Sequence, residues 1–518
     1  MNEKILVRGV NWIGDAVMTL PALRSLKKVF PESRLSLLVK PSVAPIFEKS
    51  PFIDEVILYE EKGFIGKLRL ARRLKKDRFS RAILLQNAFD AALISFLAGI
   101  PERSGYDRDG RGRLLTRAIP YDSDDRKVHH VDYYLNLLGA SGMAVEYLRP
   151  WIRLALEERL SARKRFADSR RPVLGINAGA AYGSAKRWLP QGFAEVADWF
   201  IRDTGGTAVI FGGAAERWIT DEIEKKLRHL LREGSGSRAD VGSGTLLNLT
   251  GKTSLRELIG LISECDVFLG NDSGPMHIAY AVGTPVVALF GSTDPDLTGP
   301  LGKGDSVLRA DLECSPCFER TCRKNELQCM NGISSDDVYL AIREKLPGAP
   351  AVFFDRDGTL CEDMDYLRRR EDFRLLPEVE ELRSLKDRGF KLIGVTNQSG
   401  IGRGLVGEDF VREINNLFVE RYGFDDFLYC PHLPGDYCSC RKPEPGMLCD
   451  ARYRHGIDLR RSFVVGDKES DMLLAKAVGA KSILVKTGRQ GDSPYADVTA
   501  KGLKETVGYI LGERGGGR

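Results

Sequence analysis

One pattern recurs along the whole chain and limits what it can fold into. A short β-branched apolar run is followed by a turn that contains glycine and then by apolar residues at helical spacing, as in Leu189–Arg202 and Leu255–Cys265. Strands that alternate with such helices predict parallel sheets with crossover helices, the doubly wound α/β class. The predicted strands are Ile5–Val10, Ala82–Gln86, Val173–Asn177, Ala208–Phe211, Val267–Leu269, Val286–Phe290 and Val352–Asp355.

The length and two breaks in the pattern predict three such units. The chain has 518 residues, whereas a single hydrophobic core stops growing at about 250–300 residues. One break lies near Arg170–Pro172, after a charged stretch, and the other is the proline- and glycine-rich segment Leu346–Pro350. We therefore predict Rossmann-like lobes over residues 1–171 and 172–346, and a third domain over residues 350–518.

Composition excludes several classes of protein. A hydrophobic content of 43% and a charged content of 29% are typical of globular proteins and exclude fibrous or globally disordered ones. The net charge of +5 is too small to indicate a nucleic-acid partner. The sequence has no apolar run of about 18 residues and no apolar segment typical of a signal peptide. The expected location is therefore the cytoplasm.

Paired carboxylates mark the third domain. Asp355 and Asp357 follow the predicted strand Ala351–Phe354, and the carboxyl ends of strands are where open α/β sheets place active sites. One carboxylate could attack phosphorus while the other protonates the leaving oxygen, with a magnesium ion offsetting the negative charge. Three further pairs of polar residues follow along the chain: Thr396 and Asn397, Arg441 and Lys442, and Asp467 and Asp471.

This order of motifs resembles the haloacid-dehalogenase (HAD) superfamily of phosphatases over residues 350–490. The resemblance implies that Asp355 is the nucleophile and that Asp357 is the general acid and base. It implies further that Asp471 supports the metal site without binding the ion directly. The implied magnesium ligands are Asp355, Asp357 and Asp467, and the implied substrate-binding residues are Thr396, Asn397, Arg441 and Lys442.

A cysteine-rich loop in the same domain predicts a second metal site. Cys430, His432, Cys438 and Cys440 offer three thiolates and one imidazole, the ligand set that zinc prefers in closed structural sites. Cys449 lies outside this set and is interpreted as a core cysteine. Together with DRDGT, VTNQSGIGRG and CRKPEPGM, the loop resembles the heptose 1,7-bisphosphate phosphatases. The related histidinol-phosphate phosphatases share it, so the loop alone does not separate the two.

The first lobe carries a candidate base at the start of a helix. In NWIGDAV, Gly14 permits a tight turn and Asp15 projects toward a cleft, where its carboxylate could take a proton from an acceptor hydroxyl. An aspartate at this position is also a common helix cap, so both roles stay open.

Two turns of the second lobe predict a site for a nucleotide diphosphate. The small-residue loop at 178–188 ends in the cations Lys186 and Arg187, and Gly270–His277 forms a second strand-to-helix turn. Backbone amides in such turns bind phosphate oxygens, and nearby cations offset their charge. The GxxxxGK[ST] and GxGxxG patterns are absent, which disfavours hydrolysis of nucleoside triphosphates and binding of dinucleotides.

The first two lobes resemble the lipopolysaccharide heptosyltransferases over residues 1–346. The resemblance rests on NWIGDAVMTLPALRSL, NAGAAYGSAKRW, the segment from GKTSLRELIG to GSTDP, and CSPCFERTC. It implies a two-lobed GT-B glycosyltransferase with ADP-heptose in the second lobe and the lipid acceptor on the first. The implied roles are those of general base for Asp15, donor-phosphate lysine for Lys186, and donor-binding turn for Asp272, Ser273, Gly274 and His277.

Two groups of residues stay outside these assignments. Cys314, Cys317, Cys322 and Cys329 are interpreted as a buried cysteine-rich loop in preference to a metal site, because no metal role comes with the resemblance. The basic run Arg69–Arg81 is interpreted as a solvated helix face. Arg108, Arg111 and Arg113 are assigned to the anionic acceptor, and they could also draw the chain to an anionic inner leaflet.

Both resemblances together predict a bifunctional enzyme of heptose metabolism. It transfers heptose from ADP-heptose to the inner core of lipopolysaccharide, and it removes the C7 phosphate of a heptose bisphosphate. The expected cofactors are Mg²⁺ and Zn²⁺, and peripheral contact with the inner membrane is a further expectation. The alternative is a histidinol-phosphate-type phosphatase fused to a sugar-binding or inactive glycosyltransferase-like module.

Overall fold

The computed structural model describes residues 3–122, 124, 127–233, 245–324 and 326–515, with side chains to residue 512. It divides the chain into two compact units, Met1–Glu344 and Lys345–Arg518. Within the described residues, the search for a helix that is both long and apolar enough to span a membrane finds no candidate.

The first sheet of unit 1 has six parallel strands in the order β3-β2-β1-β4-β5-β6 among the described residues. Its strands are β1 (Lys4–Arg8), β2 (Arg34–Val39), β3 (Glu55–Leu58), β4 (Arg81–Leu84), β5 (Glu102–Tyr106) and β6 (Arg117–Ile119). The helices of this stretch are α1 (Ile13–Met18), α2 (Leu20–Val29), α3 (Ala44–Phe47), α4 (Gly63–Asp77), α5 (Phe89–Leu97) and α6 (His130–Ala140).

The second sheet of unit 1 has the order β12-β11-β10-β7-β8-β9, again with parallel strands. Its strands are β7 (Val173–Asn177), β8 (Thr207–Phe211), β9 (Leu246–Asn248), β10 (Val267–Asn271), β11 (Val286–Phe290) and β12 (Ser306–Arg309). The helices of this stretch are α7 (Leu156–Arg165), α8 (Pro190–Thr204), α9 (Arg217–Glu233), α10 (Leu255–Ser263), α11 (Gly274–Val282), α12 (Pro295–Thr298), α13 (Gln328–Asn331) and α14 (Ser335–Arg343).

The sheet of unit 2 has the order β15-β14-β13-β16-β17-β18, and its strands are parallel. They are β13 (Ala351–Phe354), β14 (Lys391–Asn397), β15 (Asp426–Cys430), β16 (Phe463–Gly466), β17 (Lys481–Val485) and β18 (Val498–Ala500). The helices of this unit are α15 (Arg383–Asp387), α16 (Ser399–Gly402), α17 (Glu408–Tyr422), α18 (Gly446–His455), α19 (Glu469–Val478) and α20 (Leu503–Gly515).

The central strands confirm the predicted α/β class. Every residue of β7, β8, β10 and β11 is buried, as expected when helices cover both faces of a parallel sheet. The helix predicted at Leu189–Arg202 is α8, which begins at Pro190 and is followed by Gly205 in the left-handed region with φ +67°. Proline suits the first helical position because it lacks an amide hydrogen, and glycine suits the left-handed position because it has no Cβ.

All three sheets share one strand order, and that order places their sites. In each sheet the chain runs outward from the first strand to one edge, and then returns to the fourth strand on the other side of the first. In open α/β sheets ligands bind outside the carboxyl ends of strands at this point of reversal. The expected sites therefore lie beyond the carboxyl ends of β1 and β4, of β7 and β10, and of β13 and β16.

The structure corrects the assignment of Arg111 to an anionic acceptor. Its side chain is fully buried, and its guanidinium donates hydrogen bonds to the carbonyls of Tyr106 and Gln86 and to Asn87 Oδ1. Burial lowers the pKa of Arg111 to about 10. The guanidinium of Arg108 lies over the ring of Tyr121, 4.2 Å from its centroid, and Arg113 is exposed. Buried hydrogen-bond donors need partners, and the donors of Arg111 find theirs within the first lobe. Arg111 is therefore a structural residue of this lobe.

The interpretation of Cys314, Cys317, Cys322 and Cys329 as a buried loop is also wrong. Cys314 and Cys317 are exposed, and Cys322 and Cys329 are half-buried. Cys449 on α18 is half-buried, not a core residue.

Candidate active sites

Asp15 stands in the first turn of α1, directly beyond the carboxyl end of β1. Its side chain is 28% exposed, and its Oδ1 lies 3.5 Å from Nδ1 of His130, the first residue of α6. Among the described residues, the Asp15 carboxylate accepts no hydrogen bond from the amides of its own helix. The structure therefore favours a carboxylate directed into the crevice over a helix cap.

Two glycines allow the two lobes of unit 1 to touch beside Asp15. A Cβ at Gly14 would lie 2.8 Å from Cδ2 of His277, and a Cβ at Gly274 would lie 2.7 Å from the side chain of Ile13. Gly14 lies inside α1 and not in a left-handed turn, so the expected tight turn is wrong. Gly14 is required because α1 and α11 approach each other too closely for a side chain.

A buried ion pair occupies the crevice of the second sheet. Lys186 Nζ contacts Asp272 Oδ2, and the Thr293 hydroxyl donates a hydrogen bond of 2.6 Å to the same oxygen. His277 Nε2 lies 3.8 Å from the other oxygen, Asp272 Oδ1. Burial alone would raise the pKa of Asp272, but the nearby imidazole of His277 and the charge of Lys186 outweigh it and hold this pKa well below its usual range. Asp272 is thus a buried anion held between cationic and hydroxyl groups.

Two glycines of the loop between β7 and α8 lie close against other segments of the second lobe. A Cβ at Gly179 would lie 1.7 Å from Oε1 of Glu216, and one at Gly183 would lie 2.1 Å from the carbonyl oxygen of Arg320. At the neighbouring turn, the Ser273 hydroxyl donates to Asn177 Oδ1 at 3.2 Å. The loop and the turn at Ser273 and Gly274 therefore lie together, because they follow the neighbouring parallel strands β7 and β10.

Three histidines line the crevice of unit 1, and two of them were missed by the sequence analysis. His129 Nε2 donates to the carbonyl of Gly299 at 3.1 Å, so it joins the first lobe to the second. His130 contacts Asp15, and His277 contacts Asp272. The sequence did offer one signal for these two residues. The chain has only six histidines, and two of them, His129 and His130, are adjacent.

A cluster of buried charges stands at the crevice of unit 2. Lys442 Nζ lies 2.8 Å from Asp355 Oδ1 and 2.6 Å from Asp471 Oδ1, and it donates to the carbonyl of Val395 at 3.0 Å. Asp355, Asp467 and Asp471 each offer a carboxylate oxygen, and these oxygens lie within 4.8 Å of one another. The structure thus brings Asp355, Asp467 and Lys442 together as expected, and it places Asp471 directly in the group.

The electrostatics of this cluster leave negative charge uncompensated. Burial and the charge of Asp355 raise the pKa of Asp467, while the two facing carboxylates keep the pKa of Lys442 above its ordinary value despite its burial. Asp467 Oδ1 is buried and has no hydrogen-bond partner among the described residues. Gly358, at φ +89°, leaves no room for a side chain because a Cβ there would lie 2.6 Å from Asp467 Oδ2. A divalent cation fits such a set of oxygens.

Asp357 lies outside this carboxylate group. Both of its oxygens are held by Arg356, at 2.9 and 3.0 Å, and Gln398 Nε2 donates to Oδ2 at 2.7 Å. The same Gln398 nitrogen donates to the Thr396 hydroxyl at 2.9 Å. Burial would raise the pKa of Asp357, but Arg356 and Gln398 lower it. The sequence analysis missed Arg356 and Gln398, which flank the motif residues.

The remaining predicted residues lie around Lys442 and the cysteine loop. Asn397 accepts a hydrogen bond from the Lys442 amide through Oδ1 at 3.0 Å. Arg441 donates to the carbonyl of His432 at 3.2 Å, so it joins the segment of Lys442 to the cysteine loop.

The four predicted loop ligands converge. Cys430 Sγ lies 3.6 Å from Cys438 Sγ and 3.2 Å from Cys440 Sγ, and His432 Nδ1 lies 3.5 and 3.2 Å from the sulfurs of Cys430 and Cys440. Four such ligands around a tetrahedral zinc ion stand about 3.5–3.8 Å apart. The donor set and its spacing fit one zinc ion.

Residues 67–328 match the family model of glycosyltransferase family 9 (heptosyltransferase). The chain belongs to this family. Lipopolysaccharide heptosyltransferase 2 of Salmonella typhimurium is 33% identical over 318 residues, which cover 59% of this chain and 88% of that protein. The solved structure of E. coli ADP-heptose lipopolysaccharide heptosyltransferase II is 29% identical with a TM-score of 0.57, and the match covers 66% of this chain and 98% of the other.

Unit 2 of this family 9 protein has relatives of its own. Residues 439–505 match the HAD-hydrolase-like model. D-glycero-beta-D-manno-heptose-1,7-bisphosphate 7-phosphatase of Haemophilus ducreyi is 39% identical over 181 residues, covering 32% of this chain and 99% of that protein. The family 9 chain is therefore an enzyme that joins a glycosyltransferase with a GT-B-like fold to a HAD phosphatase. These relatives do not favour the histidinol-phosphate alternative.

Proposed function

We propose that this enzyme transfers heptose from ADP-heptose to the inner core of lipopolysaccharide and hydrolyses the C7 phosphate of heptose 1,7-bisphosphate. The observation that carries the proposal is that the relatives of both units are named for heptose substrates. We assign the acceptor to residues 1–171, the donor to residues 172–346 and the phosphatase to residues 350–518. None of the ten cysteines forms a disulfide, which is consistent with a reducing compartment, and we place the enzyme in the cytoplasm.

The direct test is to assay the purified chain with both substrates. Phosphate release is expected from heptose bisphosphate and not from histidinol phosphate, and heptose transfer is expected from ADP-heptose to a core oligosaccharide. Faster release from histidinol phosphate would contradict the phosphatase assignment. A chain without transfer to any heptose-accepting core would support the binding-module alternative.

For the transferase, we assign Asp15 to the acceptor. Its carboxylate takes the proton of the acceptor hydroxyl as that oxygen attacks the anomeric carbon, and His130 at 3.5 Å stabilises the carboxylate in its position. Lys186, beside Asp272, supplies positive charge to the diphosphate of the departing ADP, while the turn at Ser273, Gly274 and His277 offers hydrogen-bond donors. One base and no covalent nucleophile imply inversion at the anomeric carbon.

For the phosphatase, we assign Asp355 as the nucleophile, held by Lys442 at 2.8 Å. Asp357 protonates the leaving oxygen and then takes a proton from water, and Arg356 favours the ionised form that the second step needs. Thr396, Asn397, Arg441 and Lys442 bind the phosphate. A Mg²⁺ ion held by Asp355 and Asp467, with Asp471 beside them, would offset the charge of the transferred phosphoryl group.

We further propose that Cys430, His432, Cys438 and Cys440 hold one structural zinc ion. Freshly purified protein is expected to contain one zinc per chain. Cys440→Ser should lose it and lower the melting temperature of unit 2, because the bound metal contributes directly to folding. Elemental analysis and calorimetry measure both effects, with Cys449→Ser as the matched control. Protein that folds and hydrolyses substrate without zinc would contradict this site.

Removal of the Lys186 charge should weaken donor binding. Lys186→Ala is expected to raise the Kd for ADP-heptose at least about tenfold, since a charge-assisted contact to a phosphate contributes about 1.5–3 kcal/mol. Lys186→Arg should retain part of the affinity because it keeps the charge beside Asp272. Calorimetry with ADP-heptose measures the affinity, and thermal melting shows whether the fold survives. Unchanged affinity in Lys186→Ala would exclude the assigned role.

A further inference from the structure

Two neighbouring apolar side chains protrude from the start of α4. Phe64 is 63% exposed and Ile65 is 73% exposed, and these are the highest values among the large hydrophobic side chains of the described residues. Phe89, at the start of the neighbouring helix α5, is 46% exposed. Scattered single apolar residues are normal at a protein surface, but adjoining ones at the same place mark an interaction site.

The face of α4 that continues from Ile65 is basic. The helix carries six lysines and arginines and one aspartate, and it buries Gly66, Leu70, Ala71 and Leu74 against the lobe. At the helical spacing of 100° per residue, Ile65, Arg69, Arg72 and Lys76 lie on the opposite, outward face. All four are exposed.

Three basic side chains of this face have no side-chain partner among the described residues. Arg69, Arg72 and Lys76 form no side-chain hydrogen bond or ion pair with the described residues, whereas Lys67 on the flank of the helix pairs with Asp90 at 3.4 Å. Three unpaired cations beside two protruding apolar side chains are complementary to a surface that is anionic outside and apolar beneath.

We propose that α4 docks this enzyme on an anionic lipid bilayer, with Phe64 and Ile65 inserted at the headgroup boundary and Arg69, Arg72 and Lys76 on the headgroups. This surface is distinct from Arg108 and Arg113, which lie after β5.

The position of α4 in the sheet suits a lipid acceptor, and this step alone rests on the proposed function. α4 begins after the carboxyl end of β3, and Asp15 follows the carboxyl end of β1. The order β3-β2-β1 places the two strand ends two positions apart on the same edge, about 10 Å. An acceptor anchored in the bilayer would therefore present its sugars on the edge that carries Asp15.

Flotation of the full chain with lipid vesicles tests the proposal. The protein should float with vesicles of phosphatidylglycerol and phosphatidylethanolamine and should bind weakly to pure phosphatidylcholine. The triple variant Arg69→Gln, Arg72→Gln, Lys76→Gln should bind about a hundredfold more weakly, since each cation near an anionic surface contributes a factor of about five. Phe64→Ser with Ile65→Ser should lower binding at least about tenfold even in low salt.

Matched controls separate this surface from general charge and hydrophobicity. Lys164→Gln, Arg165→Gln, Lys225→Gln removes three exposed cations elsewhere in unit 1, and Leu340→Ser removes an apolar side chain that is 56% exposed. Both controls should float like the parent chain. Equal loss of binding in controls and α4 variants would overturn the proposal, as would a dimer that the α4 variants abolish without any effect on vesicle binding.

Transfer assays distinguish this inference from the proposed function. The α4 variants should transfer heptose to a soluble, deacylated core acceptor as fast as the parent, and more slowly to acceptor embedded in vesicles. If they instead raise KM for the soluble acceptor, α4 binds acceptor sugars and the bilayer proposal is wrong. If the parent transfers to neither acceptor yet floats, the transferase assignment fails and the docking surface stands.

Discussion

Asp355→Asn is expected to abolish phosphate release from heptose bisphosphate, lowering kcat by at least about four orders of magnitude. The amide has the shape of the carboxylate but cannot attack phosphorus. Lys442 keeps its contact of 2.6 Å with Asp471, so the buried cation retains a partner and the fold should survive. Steady-state phosphate release and a thermal melt measure the two effects.

The controls for this variant lie in both units. Asp409→Asn, at an exposed position of α17, should leave phosphate release unchanged. Heptose transfer by Asp355→Asn should equal that of the parent chain, because the substituted residue belongs to unit 2. Substantial turnover of heptose bisphosphate by Asp355→Asn would remove Asp355 from the role of nucleophile.

Asp15→Asn is expected to lower heptose transfer by about two to four orders of magnitude, the usual contribution of a general base. The affinity for ADP-heptose should change less than about twofold, since the carboxylate is assigned to the acceptor and not to the donor. Single-turnover transfer and calorimetry separate the two quantities. Equal losses of donor affinity in Asp15→Asn and Lys186→Ala would place Asp15 in the donor site instead.

His130 offers a second test of the same assignment. His130→Ala should lower transfer less than Asp15→Asn does, by about tenfold, because it removes a group that positions the carboxylate and not the carboxylate itself. If the two side chains act as a unit, the double variant should be no slower than Asp15→Asn alone. Additive losses in this double-mutant cycle would show that His130 acts independently of Asp15.

The architecture was predictable because its signals are local. β7 and β11 are short β-branched runs without polar alternation, which is typical of strands buried on both faces. The ligands Cys430 and Cys440 lie close in sequence, so their convergence needed only one loop. The approach of Asp355 to Asp467 was expected from the resemblance alone, and the structure explains it because the two residues follow the neighbouring parallel strands β13 and β16.

Burial and long-range partners were not predictable from the motifs. Arg111 appeared as one member of a basic run, yet its partners are carbonyls of Tyr106 and of Gln86, and no pattern of side chains marks a backbone acceptor. The Gly14 requirement likewise comes from His277, a residue of the other lobe. Sequence shows the charge or the small size of such residues, whereas their role depends on what the fold places beside them.

The repeated strand order also bears on how the chain folds during synthesis. Among the described residues, each sheet is complete within one continuous stretch, from Lys4 to Ile119, from Val173 to Arg309 and from Ala351 to Ala500. Parallel sheets pair distant segments and fold slowly, and unpaired strand edges invite aggregation meanwhile. Here the first sheet does not depend on any strand that is synthesised after β6. The nascent chain is therefore expected to complete one core before the next emerges, which limits the time that unpaired edges are exposed.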